Sequence, residues 1–305
     1  MLICDEYLMP ASLDEAFDAM SAHRGQHRII AGATDTLPWA REGRAGDVEV
    51  PVLIDVSKIP ELNERRVDGA HVRLGAAVPI QRFLDDPALA RAMPVMPQCA
   101  VWFADDQIRE SATIGGNIIN ASPAADGTPP LIAHGARVKL TAKRGGKIER
   151  RKVALSDFIL GPGKTALQDD ELMVGLECDA LPGYGASFEK VGHRRSLVIS
   201  LVCLAVLVKL DASKQRIADA RLAIGGIGPV PQRLSEVETF LCAGPLTAER
   251  LEQAADMPVA LVASRSRQEY RREVVHGFML RALMTAVRHA GGRDILAPEL
   301  EAAYA

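Results

Sequence analysis

The chain has 305 residues, a formal net charge of −3, and 48% apolar and 25% charged residues, the make-up of an ordinary soluble globular protein with room for two or three domains. That balance gives no electrostatic case for nucleic acid or an anionic membrane surface. Five scattered cysteines with no Cys-x-x-Cys pair argue against a disulfide framework, a zinc site or an iron–sulfur cluster in this chain.

Near the N-terminus, MLICDEYLMPAS lacks a basic region followed by an apolar stretch, and the longest apolar run, Leu201 to Val208, is far too short for a membrane span. A cytoplasmic protein is expected. Ser12 to Glu15 reads as a capping box, and Leu13, Ala16, Phe17 and Met20 fall on one face of the helix it opens, which Gly25 ends. Arg28 to Ala31 and Val52 to Asp55 read as buried strands flanking a helix over Thr36 to Glu42, so residues 1–55 form a first, small strand–helix–strand domain. A second domain over 56–180 alternates short elements: a strand at His71 to Ala76, helices at Ile80 to Leu84 and Pro97 to Phe103, a hairpin of Arg137 to Ala142 with Lys147 to Val153 around Gly145-Gly146, and a strand at Glu171 to Cys178. The absence of long crossover helices predicts an α+β class.

The third domain, 181–305, carries two apolar runs, Leu201 to Leu210 and Ile217 to Gly225, joined by a polar turn as a hairpin. Ser266 to Glu269 reads as a second capping box, opening a long helix with Tyr270, Val274, Phe278, Leu283 and Val287 as its core face and Gly291-Gly292 at its end. Hairpin and helix together are expected to pack and to offer part of a docking surface. His71 and His134, alone in apolar contexts, read as core histidines, whereas His193 beside Arg194 has a better functional claim.

Two small-residue stretches organise the reading. Gln107 to Asp126 holds Gly115-Gly116, expected to form a loop whose backbone angles are closed to other residues and whose N–H groups converge on an anion. Ile29 to Thr36 breaks from an apolar run at Gly32 just ahead of a helix start, a second set of donors. Two such stretches suit a ligand with two adjoining negative groups, and a pyrophosphate is the economical choice. Other nucleotide signatures fail: Gly163-Lys164-Thr165 lacks the P-loop's first glycine because Phe158 stands there, and Gly226-x-Gly228 meets Pro231 where a dinucleotide fingerprint needs its third glycine. No general base or nucleophile declares itself, which leaves the chemistry to a cofactor.

Trp102-Phe103-Ala104, Gln107-Ile108-Arg109, Thr113 to Asn117, Ala121-Ser122-Pro123 and Asp126 resemble the flavin-binding module of xanthine dehydrogenases, which is also the medium subunit of carbon monoxide dehydrogenase and its relatives. The likeness runs from Pro10 to about residue 290. It implies a two-part FAD-binding module of the vanillyl-alcohol-oxidase type (PCMH) followed by an α+β domain of the CO dehydrogenase flavoprotein type, with FAD held non-covalently between the first two domains. Carried over, it puts Ile29, Ile30, Ala31, Gly32, Ala33, Thr34, Asp35 and Thr36, with Thr113, Ile114, Gly115, Gly116 and Asn117, around the pyrophosphate and neighbouring atoms. It adds Ser122 and Asp126 as polar contacts, Phe103 against the flavin, Met173 as the next contact, and Lys190 as a cation beside the cofactor. No metal ligand and no catalytic side chain is implied in this chain. The implied partners are an iron–sulfur small subunit with [2Fe-2S] clusters and a molybdopterin large subunit in a dimer of heterotrimers.

Two departures stand out. Ala33 replaces the second glycine of the commoner Ala-Gly-Gly-Thr-Asp pattern, and Ser196-Leu197 stands where xanthine dehydrogenases carry an acidic pair, which puts NAD as acceptor in doubt. A stand-alone flavin oxidoreductase and a non-catalytic assembly subunit remain as alternatives to an electron-transfer subunit.

Overall fold

The computed structural model describes residues 2–194, 197–263 and 266–292. The first unit is a three-stranded parallel sheet, ordered β1-β3-β2, from β1 (Glu6–Leu8), β2 (His27–Ile30) and β3 (Val52–Asp55). Helix α1 (Leu13–Ala22) crosses between β1 and β2, and α2 (Thr36–Arg41) between β2 and β3. Ser12 caps α1 by accepting from the Glu15 N–H, while the Glu15 carboxylate takes the Ala11 N–H. Ala16, Phe17 and Met20 turn inward onto Val52 and Ile54, a core that Leu172 of the second unit also joins.

The second unit begins with β4 (Arg65–Asp68) and β5 (His71–Gly75) and continues through six short helices: α3 (Arg82–Asp85), α4 (Pro87–Ala92), α5 (Val95–Trp102), α6 (Asp106–Ser111), α7 (Ile114–Ile119) and α8 (Thr128–Ala133). It returns as β6 (Arg137–Arg144), β7 (Lys147–Ala154), α9 (Leu155–Phe158), the short pair β8 (Ile159–Gly161) and β9 (Lys164–Thr165), and β10 (Glu171–Asp179). The larger sheet is antiparallel in the order β4-β5-β10-β6-β7, and the expected hairpin around Gly145-Gly146 is its β6–β7 edge. One face packs on the helices and the other shows water a ladder of ion pairs, among them Arg73 and Lys152 on Glu177.

The third unit is an antiparallel sheet, β11 (Gly185–Val191), β12 (Val202–Leu210), β13 (Ile217–Gly225) and β14 (Gln232–Arg233), followed by α10 (Ser235–Cys242), α11 (Ala248–Asp256) and α12 (Gln268–His289). Strand β12 shows why its sequence is apolar throughout. Cys203, Ala205 and Leu207 face the core shared with α5 and α8, while Val202, Leu204, Val206 and Val208 face α12. A strand covered on both faces loses the alternation of a half-buried one. Strand β12 is therefore covered on both faces, and its apolar side chains are spent on the two cores.

Three readings are corrected here. Helix α12 has no capping box: Arg267 takes a left-handed conformation at its N-cap with no side-chain cap, and Ser266 instead accepts from the Arg271 guanidinium. Its buried face runs through Arg271, Val275, Met279, Leu283 and Val287, so Tyr270 is 44% exposed. His71 is exposed at the strand edge, whereas His134 is buried as expected. Among the described residues no helix is long and apolar enough to cross a membrane.

Candidate functional site

The two small-residue stretches meet where the first unit touches the second. Strand β2 delivers the chain to Gly32, and an added Cβ there would stand 1.8 Å from the Ser111 carbonyl oxygen at the end of α6. Only glycine allows that approach. Three residues on, Asp35 Oδ2 accepts from Asn120 Nδ2 at 3.0 Å, just after α7. These two contacts clamp the 31–36 turn against the α6–α7 segment.

The donors available at this junction differ from those expected. Gly115 and Gly116 lie inside the first turn of α7, and neither has a positive φ. Their N–H groups are also occupied: Gly115 donates to the Ala76 carbonyl at 2.9 Å and Gly116 to the Thr113 hydroxyl at 3.0 Å. Ile114 and Asn117 donate to the carbonyls of Val78 and Thr113. Gly115 is glycine because a Cβ would lie 2.6 Å from the Ala76 carbonyl oxygen, which binds α7 tightly to the strand side of the unit. The expected anion nest at 115–116 is thus a packed helix start. By contrast, among the described residues nothing accepts from the N–H groups of Gly32, Ala33, Thr34 and Asp35. Four neighbouring donors without acceptors, on a turn held in place by Ser111 and Asn120, fit an anionic ligand such as a pyrophosphate. Ala33 takes φ +53, the left-handed region that glycine occupies without strain.

A second polar centre lies where the α7–α8 segment meets the third unit. Asp126 Oδ2 accepts from Lys190 Nζ at 2.6 Å, and Oδ1 accepts from Ser200 Oγ at 2.5 Å. The Lys190 side chain is 4% exposed and that of Asp126 10%. Burial pushes the Asp126 carboxyl above its usual range, and Lys190 and Ser200 pull it back. Lys190 also donates to the Trp102 carbonyl at 3.2 Å. It is therefore neither a surface lysine nor a partner of Glu189, which instead pairs with Arg281.

The remaining expected contacts are scattered. Ile29 and Ile30 are packing residues of β2, Ile114 is fully buried, and Met173 is a core residue of β10 at 1% exposure. Phe103 caps α5, half-buried against the central core, and its carbonyl accepts from Arg109. Asn117 Oδ1 is buried with no partner among the described residues, tucked under Gly127. Thr36 opens α2. Ser122 accepts from the Ala124 N–H and, with His193, Ile199 and Ser200, lines a cleft of about 910 Å³. Arg271 also lines the cleft, its guanidinium donating to the carbonyls of Leu201 and Gly226. Ser111, Asn120, Ser200 and Arg271 escaped the sequence reading. Ser111 and Asn120 lie within the 107–126 stretch, but no sequence signal joins Ser200 or Arg271 to it. Of the second departure, Ser196 lies outside the described residues, while Leu197 is exposed with φ +50.

The free N–H groups of the 32–35 turn can receive an anion, and the site offers little acid–base chemistry of its own. His193 is exposed and hydrogen-bonded to Arg267, and burial holds His134 down at about 4, so it is neutral. Among the described residues no three His, Cys, Asp or Glu side chains gather to hold a metal ion.

Comparison with known proteins agrees with this frame. The family model described as FAD binding domain in molybdopterin dehydrogenase matches residues 3–178, and the model of the CO dehydrogenase flavoprotein C-terminal domain matches 187–286. The chain is 29% identical over 290 residues to the nicotine 6-hydroxylase medium subunit of Paenarthrobacter nicotinovorans, covering 94% of this chain and 97% of that one. It is 28% identical over 295 residues to a putative xanthine dehydrogenase FAD-binding subunit of Escherichia coli, with the same shares covered. Among solved structures it superposes on a chain of the carbon monoxide dehydrogenase of Hydrogenophaga pseudoflava with a TM-score of 0.86 and 26% identity, covering 95% of this chain and 99% of that one.

Proposed function

The chain belongs to the family of FAD-binding domains in molybdopterin dehydrogenases, and from that membership we propose that it is the FAD-carrying electron-transfer subunit of a molybdopterin and iron–sulfur hydroxylase complex. In this reading it passes electrons between [2Fe-2S] clusters on a small partner subunit and an external acceptor, while a large molybdopterin subunit handles the organic substrate. The observation that carries the reading is the turn Gly32 to Asp35, with its unpartnered N–H groups clamped against Ser111 and Asn120. Bound FAD would take up electrons singly and give them up as a pair, which suits a station between one-electron clusters and a two-electron acceptor.

This chain's residues would act by binding and positioning. The backbone of Gly32 to Asp35 would hold the pyrophosphate, beside the exposed Gly116 at the start of α7, whose close packing Gly115 permits. The Ser122 side of the cleft and Phe103 would flank the flavin, with the Asp126–Lys190 pair beneath it. The division into 1–55, 56–180 and 181–305 is kept, and the gap between the two family matches at residues 178 and 187 supports the second boundary. Cytoplasmic location and a dimer of heterotrimers complete the reading.

The reading is tested by anaerobic flavin absorbance. The FAD-loaded chain alone should not bleach with a candidate organic substrate, and bleaching should follow addition of the iron–sulfur and molybdopterin subunits. Stoichiometric bleaching by the chain alone would favour a stand-alone flavin oxidoreductase instead.

A further inference from the structure

A lone buried ammonium and a buried ammonium with a carboxylate partner act differently on a neighbouring redox group. Lys190 reaches Asp126 from β11, across the boundary between the second and third units, and the two side chains share a site from which water is largely excluded. Whichever partner holds the shared proton, the pair's net charge is zero. Ser200 fixes the other carboxylate oxygen and Trp102 takes a second ammonium donor, so two of the three Lys190 donors are committed within the protein. The third has no acceptor among the described residues.

We propose that Asp126 is a positioning residue that sets the electron affinity of the bound FAD by cancelling the charge of Lys190 and holding its third donor toward the cofactor. The inference rests on the reading that Lys190 lies beside FAD. Uptake of two electrons and one proton leaves the isoalloxazine with one added negative charge. A full positive charge nearby favours that state, and a neutral pair does so far less. Asp126 would thus keep the midpoint potential lower than an uncompensated lysine would set it.

The test is a dithionite titration of the FAD-loaded chain against a reference dye. Asp126→Asn should shift the midpoint potential upward, and Asp126→Asn with Lys190→Met should bring it back toward wild type. A purely structural role would track lost hydrogen bonds and leave the double variant at least as altered as the single one. If Asp126→Asn does not fold, Asp126→Ser takes its place: a potential above wild type supports the proposal, and one unchanged or lower overturns it. A wild-type chain that takes up no FAD would overturn the functional reading. A chain that binds FAD fully while its potential ignores every variant would overturn this inference alone.

Discussion

The Gly32–Ser111 contact invites a sharp perturbation, Gly32→Ala. The new Cβ would lie 1.8 Å from the Ser111 carbonyl oxygen and 2.6 Å from its carbon, whereas ordinary contact begins near 3.4 Å. Both atoms belong to backbone, so no rotamer change relieves the clash, and the turn and α6 must part by about 1.6 Å. A movement of that size stretches the Asn120–Asp35 hydrogen bond, now 3.0 Å, beyond useful length and swings the free N–H groups away from their present direction. Overpacking of this kind costs about 1–3 kcal/mol of stability, which a chain of this size should survive as a lower melting temperature. Losing one charge-assisted hydrogen bond to a phosphate, about 1.5–3 kcal/mol, weakens FAD binding by about ten- to a hundredfold. Fluorescence titration of the apo chain with FAD measures this, and a thermal melt confirms that the variant is folded. A folded variant that binds FAD as tightly as wild type would refute the assignment of this turn to the pyrophosphate.

Other outcomes follow from the same geometry. Ala33→Gly should relieve about 1–2 kcal/mol of left-handed strain against about 0.5–1 kcal/mol of added unfolded-state freedom, so chemical denaturation should show unchanged or slightly raised stability; a clear loss would contradict the strain. His134 has its pKa lowered from 6.5 to about 4 by burial, so the unfolded chain binds the extra proton between those values. Its contribution is full above about pH 6.5 and falls by about 3 kcal/mol as pH drops to 4; denaturation of wild type and His134→Gln across that window should show the dependence shrinking in the variant, and identical slopes would contradict it. Because neither clamped segment contains a cysteine or histidine, acid precipitation should release all the yellow colour to the supernatant, and colour kept in the pellet would indicate covalent attachment.

Most of the fold was legible because strands and capped helices announce themselves locally. The β6–β7 and β12–β13 hairpins follow from apolar runs and turn residues, and α1 from Ser12 and its periodic face. The two segments that meet, 29–36 and 107–126, were legible, but not the contacts that hold them together. Gly115 looked like a residue chosen for backbone freedom, yet its reason is the Ala76 backbone, a contact made only once α7 has folded against the strand. Gly32 likewise answers to Ser111, far along the chain. The register of α12 slipped for a similar cause: Arg271 lies inward because the carbonyls of Leu201 and Gly226 accept from it, and no helical periodicity marks an arginine as core. Lys190 stands out in the sequence only through the resemblance, and its carboxylate partner could be assigned only when the second and third units came together.

The central claim, that this chain carries FAD as one station of a larger electron-transfer complex, is met most directly by isolating the complex from its native source through this chain and analysing it for flavin, molybdenum and iron. The account predicts stoichiometric FAD released by acid, together with molybdenum and iron in co-purifying subunits. A chain recovered without flavin, or flavin on a chain with neither metal in its company, would contradict it.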